Sequence, residues 1–180
     1  MGFRQAAVLS AVSFFLGVLF ICFNIDQKLL FQTLTEQSIG DGFQFYTTFY
    51  NAPLAVKGLM HAMIGLGILG LVGKLHAWDE SAIFFDGSSL ALYVFGVIIY
   101  SSVTIGGLRT IVYPSEEDTE ETRIEALRVL SAGNTLIILC LVGVLLLQGG
   151  QEYARRIQLR EVQKAAEKEK VVVEEEKKTQ

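Results

Sequence analysis

Four polar side chains stand inside, or at the edge of, long apolar stretches: Asp26, Lys57, His61 and Asn134. A charge near the centre of a bilayer costs about 2.5–3.5 kcal/mol on the insertion scale, so such groups need partners or a purpose. Lys57 and His61 are spaced i,i+4 and share one helix face. Lys57 lies near the start of its stretch and can snorkel to the surface. His61, one turn deeper, can remain neutral. Asn134 sits at a comparable depth in another stretch, and Asp26 closes a third. All four fall towards the same side of a membrane. Such a cluster suits an ion or proton path, interhelical glue, or a contact for polar groups on a partner's helix.

The remaining motifs carry less. Gly65-Leu66-Gly67-Ile68-Leu69-Gly70 matches the dinucleotide fingerprint in letters, but that fingerprint needs a preceding strand and a water-facing helix start. Here it lies in an apolar run. In lipid the hydrophobic drive between helices is weak, and small residues that permit close backbone approach carry association. Ala55, Gly58, Ala62 and Gly65 form one such stripe, and Ala6, Ser10, Ser13 and Gly17 another. Their expected use is packing of these two helices on each other, with reception of an outside helix as the alternative. The chain contains no H-E-x-x-H and no G-x-S-x-G, and His76-Ala77-Trp78-Asp79-Glu80 has the wrong order for a zinc protease. Cys22 and Cys140 lie in apolar surroundings and read as buried thiols. No enzyme activity, cofactor or metal is expected.

The elements that must position these residues are membrane helices. Of 180 residues, 51% are hydrophobic and 19% charged, against about 25% charged in soluble domains; the mean hydropathy is +0.42. Met1 to Gln148 holds seven Lys/Arg and twelve Asp/Glu, whereas 149–180 holds eight and seven. This pattern excludes an ordinary soluble enzyme, a disordered chain and a nucleic-acid binder, which would show a basic face. A helix crosses the hydrocarbon core with about 20 apolar residues. Four stretches qualify, at about 6–23, 52–73, 88–107 and 129–148. The predicted fold is all-α: a polytopic four-helix membrane domain, 1–148, followed by a charged tail, 149–180. The first run is longer than a signal peptide's core of about 7–15 residues, which predicts a retained anchor. Trp78, at the edge of the second span, reads as an interface anchor.

The aromatic segment Asp41 to Tyr50 predicts either a short interfacial helix or rings that cover the ends of the spans. Asp86-Gly87-Ser88 reads as a turn and cap opening the third span. Ser115, followed by Glu116, Glu117 and Asp118, reads as the cap of the fourth helix. Four spans place both termini on one side, and a small excess of Arg and Lys there (Arg4, Lys74, Arg155, Arg156, Arg160, Lys164) favours the cytosol. In the tail, pairs such as Glu152 with Arg156 support an exposed helix. Lys177 and Lys178 stand fourth and third from the C-terminus, the spacing of a di-lysine retrieval signal read by vesicle coats.

The chain resembles the fungal Shr3 family. The resemblance rests on Phe15-Leu16-Gly17-Val18-Leu19-Phe20, Asp26 and Leu29-Leu30-Phe31; on Pro53, Val56-Lys57, Leu59, His61, Gly65, Gly67, Gly70 and Lys74-Leu75; on Glu80-Ser81-Ala82, Phe85, Leu90 to Val94, Gly96-Val97 and Tyr100; and on Leu141 to Gln148. It covers about Phe14 to Gln148, and its most specific part is the Pro-Val-Lys-His series followed by the glycine ladder. The outer loops and tail match less. The resemblance implies a multi-pass protein of the endoplasmic-reticulum membrane, a chaperone for amino acid permeases that shields their spans and helps their exit in coated vesicles. Under that implication Gly17, Lys57, Gly58, His61, Ala62 and Gly65 are the candidate client contacts, and the tail is a candidate contact for coat components. The rival reading is a small transporter or channel subunit built on Lys57, His61 and Asn134.

Overall fold

The computed structural model describes the backbone of residues 2–76 and 80–179, and the side chains of residues 2–76 and 83–167. Trp78 and the His76–Glu80 motif beyond His76 fall outside the side chains described, as do Lys177 and Lys178. The described residues are helical and joined by short turns: α1 (Phe3–Phe31), α2 (Glu36–Tyr50), α3 (Leu54–Leu75), α4 (Glu80–Ile99), a π-helical turn (Tyr100–Thr104), α5 (Ile105–Val112) and α6 (Glu120–Thr179). Four segments are long and apolar enough to cross a membrane: Phe3–Phe31, Leu54–Leu75, Ile83–Val112 and Glu120–Glu167. Each predicted span lies largely within one of them, so this is an all-α, multi-pass architecture.

The four long helices form a ring. α1 packs on α3 and α6, and α4 packs on the same two. The central core is Val8, Val12, Leu19, Leu71, Tyr93, Ile137, Leu141 and Val144. A second core, Leu29, Tyr46, Leu108, Ile111, Leu127 and Leu130, seats α2 against the end of the ring opposite the two termini. Phe20, Leu69, Phe84, Leu139 and Leu146 face outwards, as expected where lipid is the solvent and a helix is apolar all round.

α2 forms over and beyond the predicted aromatic segment. Thr35 caps it: its Oγ1 accepts the Ser38 N–H at 3.1 Å, and Ser38 Oγ accepts the Thr35 N–H at 3.0 Å. This reciprocal pair satisfies two donors that the first turn would otherwise leave open. One face of α2 packs on α1, α5 and the start of α6, so its rings do cover the ends of the spans.

Two expected helix starts move. Asp86-Gly87-Ser88 opens nothing: α4 begins at Glu80 and runs unbroken through it, because the Asp86 carboxylate is engaged by other helices and is not free to cap. The fourth helix starts at Glu120 instead of Ser115. Asp118 folds back on Ser115, accepting its N–H at 2.7 Å and its hydroxyl at 2.8 Å, and closes a turn. Thr119 Oγ1 then accepts the Thr122 N–H at 3.2 Å and serves as the cap.

Candidate functional site

Most of the buried polar side chains among the described residues sort into two networks, one at each end of the ring. At the α2 end, α1 contributes Asp26, α2 Tyr46 and α6 Asn134. Asn134 Nδ2 donates to Asp26 Oδ2 at 3.1 Å and to Tyr46 Oη at 2.9 Å. Tyr46 Oη donates in turn to Asp26 Oδ1. The three side chains thus make a closed triangle, with Asp26 fully buried and Asn134 2% exposed. Thr104, the last residue of the π turn, reaches Asn134 Oδ1 at 3.4 Å. Burial, and then the neighbouring Asp26 carboxylate, push the Tyr46 phenol far above its ordinary range, so it stays a neutral donor.

At the terminal end, Lys74 of α3 pairs with Asp86 of α4 at 2.8 Å. Lys74 also donates to Gln148 and, at 2.7 Å, to Gln151, both on α6. Gln148 Nε2 donates to Asp86 Oδ1 and to Ser89 Oγ, each at 3.0 Å, and Gln151 Nε2 donates to Asp86 Oδ2 at 2.8 Å. The ammonium has three acceptors and each carboxylate oxygen has a donor. That completeness makes a low-dielectric ion pair tolerable. Arg4 adds a tie nearby, donating to Gly73 O at 2.5 Å and satisfying a carbonyl of the last turn of α3.

The four polar residues picked from sequence therefore do not form one cluster. Asp26 and Asn134 meet. Lys57 instead lies 5.1 Å over the Tyr50 ring, and His61 turns back on its own helix, its Nδ1 2.7 Å from Lys57 O. A carbonyl can only accept, so Nδ1 carries the proton in that bond. Tyr46, Thr104, Asp86, Gln148 and Gln151 were missed. The available signal was the carboxylate itself: an acid within an apolar segment requires donors from other segments.

The small-residue stripes are also redistributed. Cβ atoms added at Gly17, Gly58 or Gly65 would meet nothing within 4 Å, and Ala55, Ala62, Ser10 and Ser13 are exposed. The expected packing of these stripes on each other does not occur. Close approach is made by other glycines: a Cβ at Gly70 would meet Val8 Cγ2 at 2.8 Å and Arg4 O at 3.3 Å, and one at Gly133 would meet Val103 Cγ1 at 2.9 Å. Gly67 lies under the Tyr93 ring. The reason is rotational. α3 carries glycines on two faces, and the Lys74–Asp86 pair turns the Gly67/Gly70 face inwards. What remains outside is an unoccupied face of small residues on α3, with His61 exposed and Lys57 half-buried, and a second on α1 around Gly17.

The family comparison decides the kinship: a model described as SHR3 chaperone, ER membrane protein SH3, matches residues 1–180. The chain belongs to the SHR3 chaperone family. Neither the curated proteins nor the solved structures contain a match. SHR3 chaperones are thereby the frame for this four-span bundle, a multi-pass protein of an endoplasmic-reticulum membrane family with two internally satisfied polar networks and outward faces of small residues.

Proposed function

We propose that this protein is an endoplasmic-reticulum membrane chaperone that holds newly made amino acid permeases until their spans have packed, and helps them leave in coated vesicles. The observation that carries the reading is the family match over residues 1–180 in a chain whose small-residue stripes face outwards. Permease folds use broken helices, and their polar backbone groups stay unsatisfied until neighbours arrive. A face built from Gly58, Ala62 and Gly65 lets such a helix come close. Lys57 and His61 beside it offer polar side chains for those groups. Gly17 extends the contact on α1.

In this reading 1–148 is the membrane domain and 149–180 a charged tail in the cytosol, where both termini lie. The tail meets coat components, Lys177 and Lys178 return escaped copies, and membrane lipid covers the rest of the bundle. The test removes the protein from its host and follows tagged amino acid permeases beside an unrelated polytopic transporter. Permeases stalled in the endoplasmic reticulum, with the transporter at the surface, support the reading. Normal traffic of both overturns it, and arrest of both replaces it with a general export factor.

A further inference from the structure

We propose that α2 is a hinged lid over an apolar cavity inside the bundle, held shut by the Asp26–Tyr46–Asn134 triangle. The cavity, about 60 Å³, lies between α1, α3, α4 and α6, and its α2 wall consists of Tyr46 and Phe49. A second, open groove of about 670 Å³ runs between α1 and α2. Val18, Cys22 and Phe49 line both spaces. The partition between them is therefore a single layer made of these three side chains, of which only Phe49 belongs to α2. Moving Phe49 joins cavity and groove.

Tyr46 and Phe49 are three residues apart on α2 and share a face, so the latch and the partition move together. Short non-helical joints bound α2 on both sides, at 32–35 and 51–53. Among the described residues its other ties to charged groups are Lys28 to Asp41 at 3.6 Å, 42% exposed on both sides and screened, and the stacking of Lys57 on Tyr50 and of Arg123 on Phe43, at 5.1 and 4.9 Å. Packing of Gly42 on Leu127 and Leu29 leaves a pivot about one turn from the latch. The π turn completes the device. Its Tyr100 and Thr104 line the same cavity, and Thr104 touches Asn134. Single π turns inside helices are rare and recur at functional positions.

Cys22 reports the state of the lid. It is 4% exposed and sits in the partition. The experiment labels the full chain in native membranes with N-ethylmaleimide, in a Cys140→Ala background. Tyr46→Phe keeps the ring and its packing but removes the two hydrogen bonds made through the hydroxyl. The expected result is a Cys22 labelling rate raised by on the order of tenfold, with faster amide exchange in Glu36–Tyr50 and unchanged exchange in Phe3–Phe31. Cys140, followed in a Cys22→Ala background, should label no faster. Equal Cys22 rates in the two proteins overturn the lid, as does rapid labelling already in the unmodified latch. A matching rise at Cys140 also overturns it, because the whole bundle would then be loosening.

Discussion

Lys74 and Asp86 form an ion pair at 2.8 Å between two membrane helices, with side-chain exposures of 13% and 2%. The pair sits at the terminal end of the bundle, and Gln148 and Gln151 complete its hydrogen bonds. It also decides which face of α3 points inwards, and hence which residues are left for a partner.

Removing one member should therefore cost far more than removing both. Asp86→Ala leaves a buried ammonium with no counter-charge and is expected to destabilise the bundle by about 3–5 kcal/mol. Lys74→Met combined with Asp86→Leu should recover most of that loss. Thermal unfolding midpoints of the purified protein in detergent give the comparison; if the double variant is as damaged as Asp86→Ala, the pair is not the unit described.

Glycines on the two faces of α3 should behave oppositely. Gly70→Val drives a side chain into Val8 and the Arg4 carbonyl and should destabilise the α1–α3 contact by about 1–3 kcal/mol. Gly58→Leu and Gly65→Leu enter open space and should leave the stability within about 0.5 kcal/mol of the parent, while slowing permease export in cells. Export unaffected by Gly17→Leu, Gly58→Leu and Gly65→Leu together would exclude these faces as client contacts.

Asn134 is the donor that closes the triangle at the α2 end. Asn134→Leu keeps the branched side-chain skeleton but withdraws bonds to both Asp26 and Tyr46. A loss of about 1–3 kcal/mol is expected, shown by the same unfolding measurement. Thr104→Val, which removes only the 3.4 Å contact, should cost much less.

The Ser115–Asp118 turn should respond to acid. The Ser115 backbone N–H, then its hydroxyl, hold the Asp118 carboxyl below its ordinary value of 3.8. A carboxyl lowered in the folded turn stabilises it above the ordinary value, and that contribution fades as pH falls through the lowered one. Protection of the Ser115 amide from exchange should thus be constant near neutrality and decline below about pH 4. Asp118→Asn should flatten the dependence.

The succession of apolar and polar segments was enough to define four spans, an all-α chain and a charged end, because lipid imposes a length and forbids unsatisfied backbone. The segment around Tyr46 was legible as an aromatic helix candidate, and Lys57, His61 and Asn134 as out-of-place polar groups. What the linear order could not show is rotation about each helix axis. α3 carries Gly58 and Gly65 on one face and Gly67 and Gly70 on another, and local spacing favours neither. Only tertiary structure chose between them, through an acid on α4 and two glutamines on α6. The same holds for the triangle: Asp26 announces a need for donors, but residues 20 and 108 positions away supply them, and only the packed bundle brings them within hydrogen-bond range.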